Sequence, residues 1–321
     1  MKYLRFAFTT ALALCMFALP SCINDDLTQC ETKNRVFFDY TPVTKAAKFG
    51  IDPDDVVKIN LYVFSENGRF LKEYTDESPA LSPSYHFNVD DLEPGRYRFI
   101  AWCNLGNQYE LNEAKLTPGV TSIDALRTKL VDVQNDTVRD YLNPLFYATH
   151  TGVRSIEVVR LVQHDIHLKL TEDTYKINVE VAGLDSASAL GNSFRVDITD
   201  SNSEYDFGNE WTSDRDITYS RPLIANKDKN YLLETSLMVL RLAASRDIPV
   251  IRLIKTNTDS EVVRANLIEL LTKATQMGAE VDFDTNHEFD IRFEFDPNAP
   301  LECNVYVNGY RVIDQGGQIL N

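Results

Sequence analysis

The stretch Val56–Phe70, VVKINLYVFSENGRF, decides the fold class. Its apolar residues alternate with its polar or aromatic ones: Val57, Ile59, Leu61 and Val63 stand against Lys58, Asn60 and Tyr62. That alternation predicts a strand with one buried face. The strand runs into Asn67-Gly68, and an apolar stretch resumes at Phe70. Asn-Gly between two such runs predicts a β-hairpin, because both residues of the favoured turn need positive φ.

Further strands are predicted on both sides of this hairpin, wherever β-branched and aromatic residues accumulate. In the first half they are residues 36–40, 85–89, 97–103 and 156–162. A second set begins at His164 and comprises residues 164–170, 175–181, 194–198, 231–240, 248–256, 288–295, 301–307 and 310–313. A second Asn-Gly pair, Asn308-Gly309, predicts another hairpin near the end of the chain.

Helical patterns are scarce. Residues 265–274 predict one helix, with Leu267, Leu270 and Leu271 on one face and Gly278 beyond its end. A second short helix is expected at 123–130, among the mixed loops of residues 104–150. Strand runs of this length with so little helix predict an all-β protein, and argue against a parallel α/β sheet.

The chain length and the strand pattern together predict two β-sandwich domains in tandem, with few short helices. The N-terminal sandwich is expected to span residues 35–165 and the C-terminal sandwich residues 166–321. No low-complexity linker marks the join between them.

The first residues of the chain have the three parts of a bacterial secretory signal. Lys2 and Arg5 precede an uncharged stretch, residues 6–19, which ends in Leu19-Pro20-Ser21-Cys22. The uncharged stretch is shorter than the roughly 20 residues that a membrane-spanning helix needs. A small residue directly before a cysteine is typical of lipoprotein signals. Residues 1–21 are therefore predicted to be a signal peptide cleaved between Ser21 and Cys22.

Cys22 is predicted to become an N-palmitoyl, S-diacylglycerol cysteine, followed by a tether of residues 22–34. One acyl chain holds a protein only reversibly, whereas two or three on one residue hold it stably. Ile23 takes the place where an aspartate would favour the inner membrane, and Asn24-Asp25-Asp26 resembles the acidic export signal of surface lipoproteins. The predicted location is the outer membrane, lipid-anchored and surface-exposed. The alternative is a soluble secreted protein with an incidental Cys22.

Loss of residues 1–21 removes Lys2 and Arg5 and no acidic residue, so the mature chain has 30 basic and 48 acidic residues and a net charge of −18. Nucleic-acid binding needs clustered Lys and Arg and is not expected. Anionic head groups would repel this surface, so the predicted membrane contact is the lipid alone.

Three cysteines would remain free of signal and lipid, namely Cys30, Cys103 and Cys303. Their number is odd and their spacing contains no C-x-x-C, so one thiol at least is unpaired within the chain and a zinc site is not predicted. Cys103 and Cys303 are expected to be buried in strands. The sequence leaves the pairing state of the three open.

The known patterns of catalytic sites are missing. The sequence has no G-x-S-x-G, no glycine-rich phosphate loop and no H-E-x-x-H. His164 and His167 would point to opposite faces of a strand and share no metal. The acids of residues 282–286 begin like a calcium loop, but His287 takes the place of the required glycine, so a polar turn is expected. We predict no catalytic residue, metal site, cofactor or small-molecule substrate.

Two further groups have a simpler structural interpretation than a ligand site. Asp52, Asp54 and Asp55 could hold a weak calcium ion, yet such a cluster is expected by chance in so acidic a chain. Trp102 and Trp211 could form a sugar platform, but single tryptophans in a sandwich are more often core residues.

Four segments of the chain resemble a known family, the FimB-type (FimB/Mfa-type) fimbrial subunits, lipoproteins that anchor type V fimbriae in Bacteroidota. They are residues 22–30, residues 56–70, LEPGRYRFIAWCNL at 92–105 and VNGYRVIDQGG near the C terminus. Tyr310 stands where the family would have tryptophan, and Trp102-Cys103-Asn104 replaces a more glycine-rich stretch. The resemblance implies two transthyretin-like sandwiches, fimbrial stalk subunits as partners and a position at the base of a fimbrium.

The resemblance also implies assembly by β-strand addition, after a protease removes the first strand of each stalk subunit. A cut after Arg35 would release this chain from its own lipid. We therefore predict an anchor that keeps its first strand, near residues 36–40, terminates polymerisation, and joins the shaft through its C-terminal strands or another exposed edge. The alternatives are a surface lipoprotein that binds a glycan or host ligand, and a stalk or tip subunit.

Overall fold

The computed structural model describes residues 33–44, 50–113, 115–131, 133–152, 155–159, 163–184, 194–213, 215–226, 228–229, 232–246 and 248–313. Within these ranges the chain forms 22 strands and one α-helix. The all-β prediction is confirmed.

The strands of the first part are β1 (Asn34–Asp39), β2 (Ile59–Ser65), β3 (Phe70–Asp76), β4 (His86–Asn88), β5 (Gly95–Cys103), β6 (Tyr109–Leu111), β7 (Arg127–Leu130), β8 (Thr137–Val138), β9 (Phe146–Thr149), β10 (Ile156–Val158) and β11 (His164–Glu172). Those of the second part are β12 (Thr174–Ala182), β13 (Phe194–Asp200), β14 (Glu204–Asp206), β15 (Ile217–Pro222), β16 (Ile224–Ala225), β17 (Leu233–Leu240), β18 (Val250–Lys255), β19 (Ser260–Asn266), β20 (Glu288–Asp296), β21 (Ala299–Val307) and β22 (Tyr310–Ile313). The helix is α1 (Leu267–Gln276).

The strands form four sheets. The largest has eight strands in the order β3-β2-β5-β9-β11-β1-β4, with β10 also on β5. A six-stranded sheet has the order β16-β17-β12-β20-β21-β22, and a five-stranded sheet the order β19-β18-β13-β15-β8. Strands β14, β7 and β6 form a small three-stranded sheet.

Strand β2 is buried on both faces, so the expectation of a single buried face was wrong. Ile59, Leu61 and Val63 pack in a core formed within the first sheet. Tyr62 and Phe64 pack on the other side, in a larger core shared with the second part of the chain. The residues that cover this second face come from distant sequence, which local alternation cannot register.

The two Asn-Gly hairpins form as predicted, but with different turns. In the second, both Asn308 and Gly309 have positive φ, at 47° and 83°. This fits the two-residue turn type whose twist matches the flanking strands. In the first hairpin only Gly68 has positive φ, at 74°, and β3 carries a bulge. The expectation that Asn67 also needs positive φ was wrong, since one left-handed glycine beside a bulge closes a longer loop equally well.

Helix α1 confirms the prediction at residues 265–274 to within two residues at either end. The side chain of Asn266 caps its first turn by accepting from the Glu269 N–H, and Gly278 follows its end at a φ of 98°. Its apolar face packs beside β19, β21 and β22. The second predicted helix was wrong: Ile123–Ala125 is one 3-10 turn, and Arg127–Leu130 is strand β7. Pairing of β7 with β6 and β14 overrides the weak helical pattern.

The strand β11 pairs with β1 and β9 in the first sheet, although the sequence grouped it with the second set of strands. The chain leaves this sheet at Glu172 and enters the six-stranded sheet at Thr174, so Asp173 alone connects the two. Two strands of the first part also pair in sheets of the second part, β7 with β14 and β8 with β15. The division into two domains stays a prediction; the pairing of β11 favours a join at Asp173 over one at residue 165, whereas β7 and β8 cross either join.

Candidate functional site

The predicted lipid attachment lies outside the described residues. Ser21, Cys22 and Cys30 all precede Lys33, where the description begins. The signal cleavage site and the lipidated cysteine therefore stay predictions. The described part of the chain shows instead where a tether from Cys22 would enter the fold, twelve residues later at Asn34.

Strand β1 is an interior strand of the first sheet. It runs parallel to β11, with six pairs from Asn34 opposite His164 to Asp39 opposite Lys169. On its other side it pairs antiparallel with β4, which adds three pairs. The Asn34 N–H donates to the Asp90 carboxylate at 2.5 Å, and the Val89 N–H donates to the Asn34 carbonyl at 2.8 Å. The first strand therefore fills the slot between β11 and β4.

The two faces of β1 have different chemistry, as the two-residue period of a strand dictates. Val36 and Phe38 point inward and are 0% and 4% exposed. On the outer face, Arg35 forms two parallel hydrogen bonds to Asp165, each 2.9 Å long, and the ring of Phe37 stacks on His167 at 5.2 Å. A bidentate arginine–carboxylate pair is a geometrically specific contact.

His167 also holds the other end of β1, because its Nδ1 lies 2.9 Å from the Asp39 carboxylate. His164 lies on the inward-facing side of β11, half-buried, and its Nε2 accepts from the Val159 N–H at 3.3 Å. The structure therefore separates the two histidines, as the strand period predicted. Across the described ranges, no group of three or more His, Cys, Asp or Glu side chains is arranged to hold a metal ion.

The other residues selected from the sequence have structural roles. Asp282 accepts from the Asp284 N–H and the Thr285 hydroxyl, which makes its segment the expected polar turn. Asp52 caps the 3-10 turn Pro53–Asp55. Trp102 is fully buried in the shared core, and Cys103 and Cys303 are free and buried in β5 and β21. Burial raises the pKa of Cys303 to about 12, so its thiol stays protonated at neutral pH.

The edges of the sheets are protected against further strand pairing. The longer edge strands β3, β19 and β22 each oppose their neighbour through a bulge. Every other edge strand in the described part of the chain, namely β4, β6, β8, β10, β14 and β16, has three residues or fewer. Bulged and very short edges are the usual means by which proteins prevent edge-to-edge association.

The strand registers separate the two ends of the described chain along two consecutive strands. Asn34 is level with His164 at the start of β11. Ile313 pairs with Val305, Val305 pairs with Phe293, and Phe293 pairs with Val181 near the end of β12. Ile313 is therefore level with Val181. From His164 to Val181 the chain is extended over two consecutive strands, a path of about 55 Å at the usual strand rise. The tether and the last strand thus lie at opposite ends of this path.

A buried ionic network surrounds the connection between the sheets, and no local sequence motif indicated it. Asp173 is 1% exposed, accepts from the Asn209 amide at 3.1 Å, and lies 3.5 Å from the Arg241 guanidinium. Burial raises the pKa of Asp173 to about 6, against the opposing effect of Arg241. The Arg241 guanidinium also lies 4.1 Å above the ring of Trp211. These contacts tie β12, β17 and the segment after β14 to one point.

The outward face of the six-stranded sheet forms an open groove of about 880 Å³. At its centre the amide of Asn178 donates to Glu288 at 2.6 Å and to Asp290 at 2.9 Å, and accepts from the Ser236 hydroxyl. Tyr141 and Tyr306 border the groove. The arrangement offers ring surfaces beside hydrogen-bonding groups that are already oriented.

None of the described helices is both long and apolar enough to span a bilayer.

Comparison with known proteins gives a consistent result. Residues 27–316 match the family described as fimbrillin-A associated anchor proteins Mfa1 and Mfa2. The minor fimbrium anchoring subunit Mfa2 of Porphyromonas gingivalis is 21% identical over 307 residues, which cover 92% of this chain and 90% of that protein. The solved structure of the fimbrial anchor protein Mfa2 from that organism superposes with a TM-score of 0.69 at 20% identity, over 88% of this chain and 99% of that one. A Bacteroides thetaiotaomicron structure, provisionally described as polysaccharide binding proteins, superposes with a TM-score of 0.71 at 21% identity, over 90% and 100% of the two chains.

Proposed function

This chain belongs to the family of fimbrillin-A associated anchor proteins, and we propose that it fixes the shaft of a fimbrium to the outer membrane through a lipid on Cys22. Family membership makes it a fimbrium-associated anchor subunit of the cell surface. The lipid, the outer-membrane location and the ending of polymerisation are the parts that we propose. The role is structural and needs no cofactor or substrate.

The observation that carries the proposal is the position of β1. A subunit that accepts a strand from its neighbour needs an open slot in its sheet. Here the slot between β11 and β4 is filled by the chain's own first strand, which is paired on both sides and buried at Val36 and Phe38. A chain that keeps this strand also keeps its covalent connection to Cys22.

The protected edges support the ending of polymerisation at this subunit. With the slot filled, the outermost strands of the described sheets are bulged or short, which makes them poor templates for an incoming strand. We propose that the anchor contributes a strand to the first stalk subunit instead of accepting one. The C-terminal strands belong to the six-stranded sheet, which is separate from the sheet that holds β1, and we propose them as the attachment point of the shaft.

The test is replacement of the lipidated cysteine in the fimbriated cell. Cys22→Ser should release assembled fimbriae, with this subunit still attached, into the medium. The matched control is Cys30→Ser, which alters a cysteine in the same tether and should leave the fimbriae on the cell. Fimbriae that stay attached in the Cys22 variant would show that the anchor proposal is wrong.

A second candidate function is binding of a polysaccharide in the groove on the six-stranded sheet. It is favoured by the pairing of Tyr141 and Tyr306 with the preorganised amide of Asn178, since sugar sites combine ring surfaces with a few oriented polar groups. A glycan array probed with the whole protein tests it. A specific signal that is lost in Tyr141→Ala would support this function. If no glycan on the array binds, the polysaccharide function is wrong and anchoring remains the proposed function.

A further inference from the structure

We propose that β1 and β11 form a mechanical clamp, the element that carries tension between the membrane and the fimbrium. The inference rests on the proposed function, because such tension exists only if the chain is held at its N terminus and pulled through the rest of the fold. It goes beyond that function by assigning the load to one pair of strands and by specifying how that pair resists it.

The direction of the two strands decides how they are loaded. They are parallel, and their six pairs run from Asn34 opposite His164 to Asp39 opposite Lys169. A lipid tether would pull on β1 at Asn34, its first residue. The rest of the fold would pull on β11 at Glu172, its last residue, because the chain continues through Asp173 into β12. The two forces therefore act along the strands and in opposite directions.

Loading of this kind shears the strand pair instead of peeling it apart. When two parallel strands are pulled from opposite ends, all the hydrogen bonds between them bear the force together. When they are pulled from the same end, the bonds break one after another. Forced unfolding is governed by the barrier to unfolding, so a geometry in which the bonds must fail together gives the slower rate at a given force.

The side chains of β1 oppose its sliding along β11, whether by one residue or by two. A slip of one residue would turn Val36 and Phe38, both now buried, toward the solvent. A slip of two residues toward the tether would keep those faces but break the bidentate pair between Arg35 and Asp165 and the stacking of Phe37 on His167. Both contacts join residues that stand directly opposite each other in the ladder, so both are lost at once.

Strand β4 adds resistance on the other side of β1. It is antiparallel to β1, and it too must slide lengthwise when Asn34 is pulled away from the fold. The hydrogen bonds that Asn34 forms with Val89 and Asp90 lie at the very point where the tether enters. The first residue to feel the load is therefore held through both its own N–H and its own carbonyl.

Single-molecule force measurements on the purified full chain test the clamp. Cys22→Ser and Cys30→Ser remove the two thiols of the tether, and Cys103 and Cys303 are buried. Handles on Lys33→Cys and Asn298→Cys, an exposed hairpin position at the far end of β20, load the strands in shear. Handles on Lys33→Cys and Gln163→Cys pull the same two strands from the same end.

We expect a single high-force event in the shear geometry and its loss in the peeling geometry, where β1 should separate at low force. Equal forces in the two geometries would overturn the clamp. The two double variants are first matched by their denaturant midpoints, so that a folding defect in one of them cannot account for the difference. The measurement needs no fimbria, so its failure is distinguishable from fimbriae that stay attached in the Cys22→Ser cell.

A side-chain substitution gives an independent result. In the shear geometry, Asp165→Asn should raise the unfolding rate at fixed force about fivefold, the scale expected for one well-oriented surface ion pair. Glu157→Gln, which weakens a 4.0 Å ion pair with Arg96 elsewhere on the same sheet, is the matched control and should leave that rate unchanged. Equal rates in the two variants would show that the contacts across β1 and β11 do not bear the load.

Discussion

The rings of Phe64 and Phe207 pack edge to face, with their centroids 5.8 Å apart and their planes at 81°. Phe64 lies on β2 of the first sheet, whereas Phe207 follows β14 in the second part of the chain. Phe207 also packs edge-on against Tyr62, at 5.4 Å. The side chain of Phe207 thus covers the second face of β2 and joins the two parts of the fold in a single core.

Removal of this side chain should destabilise the whole protein and not one half alone. Phe207→Ala leaves a cavity between the first sheet and the segment after β14, and truncation of a buried phenylalanine costs about 3–5 kcal/mol. We expect the free energy of unfolding to fall by that amount, measured by denaturant titration.

The control for this prediction is Val120→Ala, because Val120 is 66% exposed and should contribute little. If Phe207→Ala uncoupled the two parts and left one of them at its original midpoint, the shared core would not couple their stability.

The two hairpin glycines should respond differently to the same substitution. A Cβ on Gly309 would meet no atom within 4 Å, so Gly309→Ala adds only the strain of a positive φ. A Cβ on Gly68 would lie 2.7 Å from the side chain of Ile123 and adds a steric clash to that strain. We expect a loss of about 1 kcal/mol for Gly309→Ala and a larger loss for Gly68→Ala. Thermal melts of the two variants side by side decide the order, and the reverse order would contradict the packing at Gly68.

Local patterns predicted many of the strands, although they missed β9, β15 and β19. Asn308-Gly309 shows why a local signal can suffice. The φ values that a two-residue hairpin needs are a property of those two residues, so the turn can be identified from the pair alone. The same holds for α1, whose cap at Asn266 and stop at Gly278 are local signals. The predicted lipoprotein signal rests on local sequence too, since such a signal is a short stretch of residues.

Long-range pairing could not be predicted, and β1 is the clearest case. Nothing in residues 34–39 indicates that they pair in parallel with residues 164–169, or that Arg35 meets Asp165. The burial of Tyr62 by Phe207 and the approach of Arg241 to Asp173 have the same cause. Such contacts are set by the packing of whole sheets, and a single sequence carries no local trace of them.

The peptide bond after Arg35 should resist an arginine-specific protease in the folded protein. Proteolysis needs an extended, accessible segment, and this bond lies inside a strand paired on both sides. We expect no product beginning at Val36 after native digestion, measured by mass spectrometry, and rapid cleavage after denaturation. Asp165→Ala should accelerate the native cleavage, because it removes both hydrogen bonds from the Arg35 guanidinium. Fast cleavage of the unaltered folded chain would contradict the retained strand.

Stability should fall as the pH rises from about 6.5 to about 8, because of Glu172 beside the connection between the sheets. Burial raises the pKa of this carboxyl from 4.5 to about 8, and the nearby charges of Asp55 and Asp173 act in the same direction. The hydrogen bond from the Thr174 hydroxyl, 2.8 Å long, only partly opposes them. Between these two pKa values the folded state binds a proton that the unfolded state has released. Each added pH unit therefore costs up to about 1.4 kcal/mol of unfolding free energy.

The upper part of this window, above about pH 7, isolates Glu172 from the other shifted groups. Asp173 and Asp200 have pKa values raised to about 6 by burial, so their effects are largely complete below that pH. Burial lowers the pKa of His287 from 6.5 to about 4, so this group makes stability rise with pH, and its effect fades as the pH passes 7. Glu172→Gln keeps the hydrogen bond to Thr174 without a titrating group and should flatten the curve between pH 6.5 and 8. The matched control is Glu302→Gln on the exposed side of β21. An unchanged slope in Glu172→Gln, measured by denaturant titration at each pH, would mean that the carboxyl is already ionised in the folded protein.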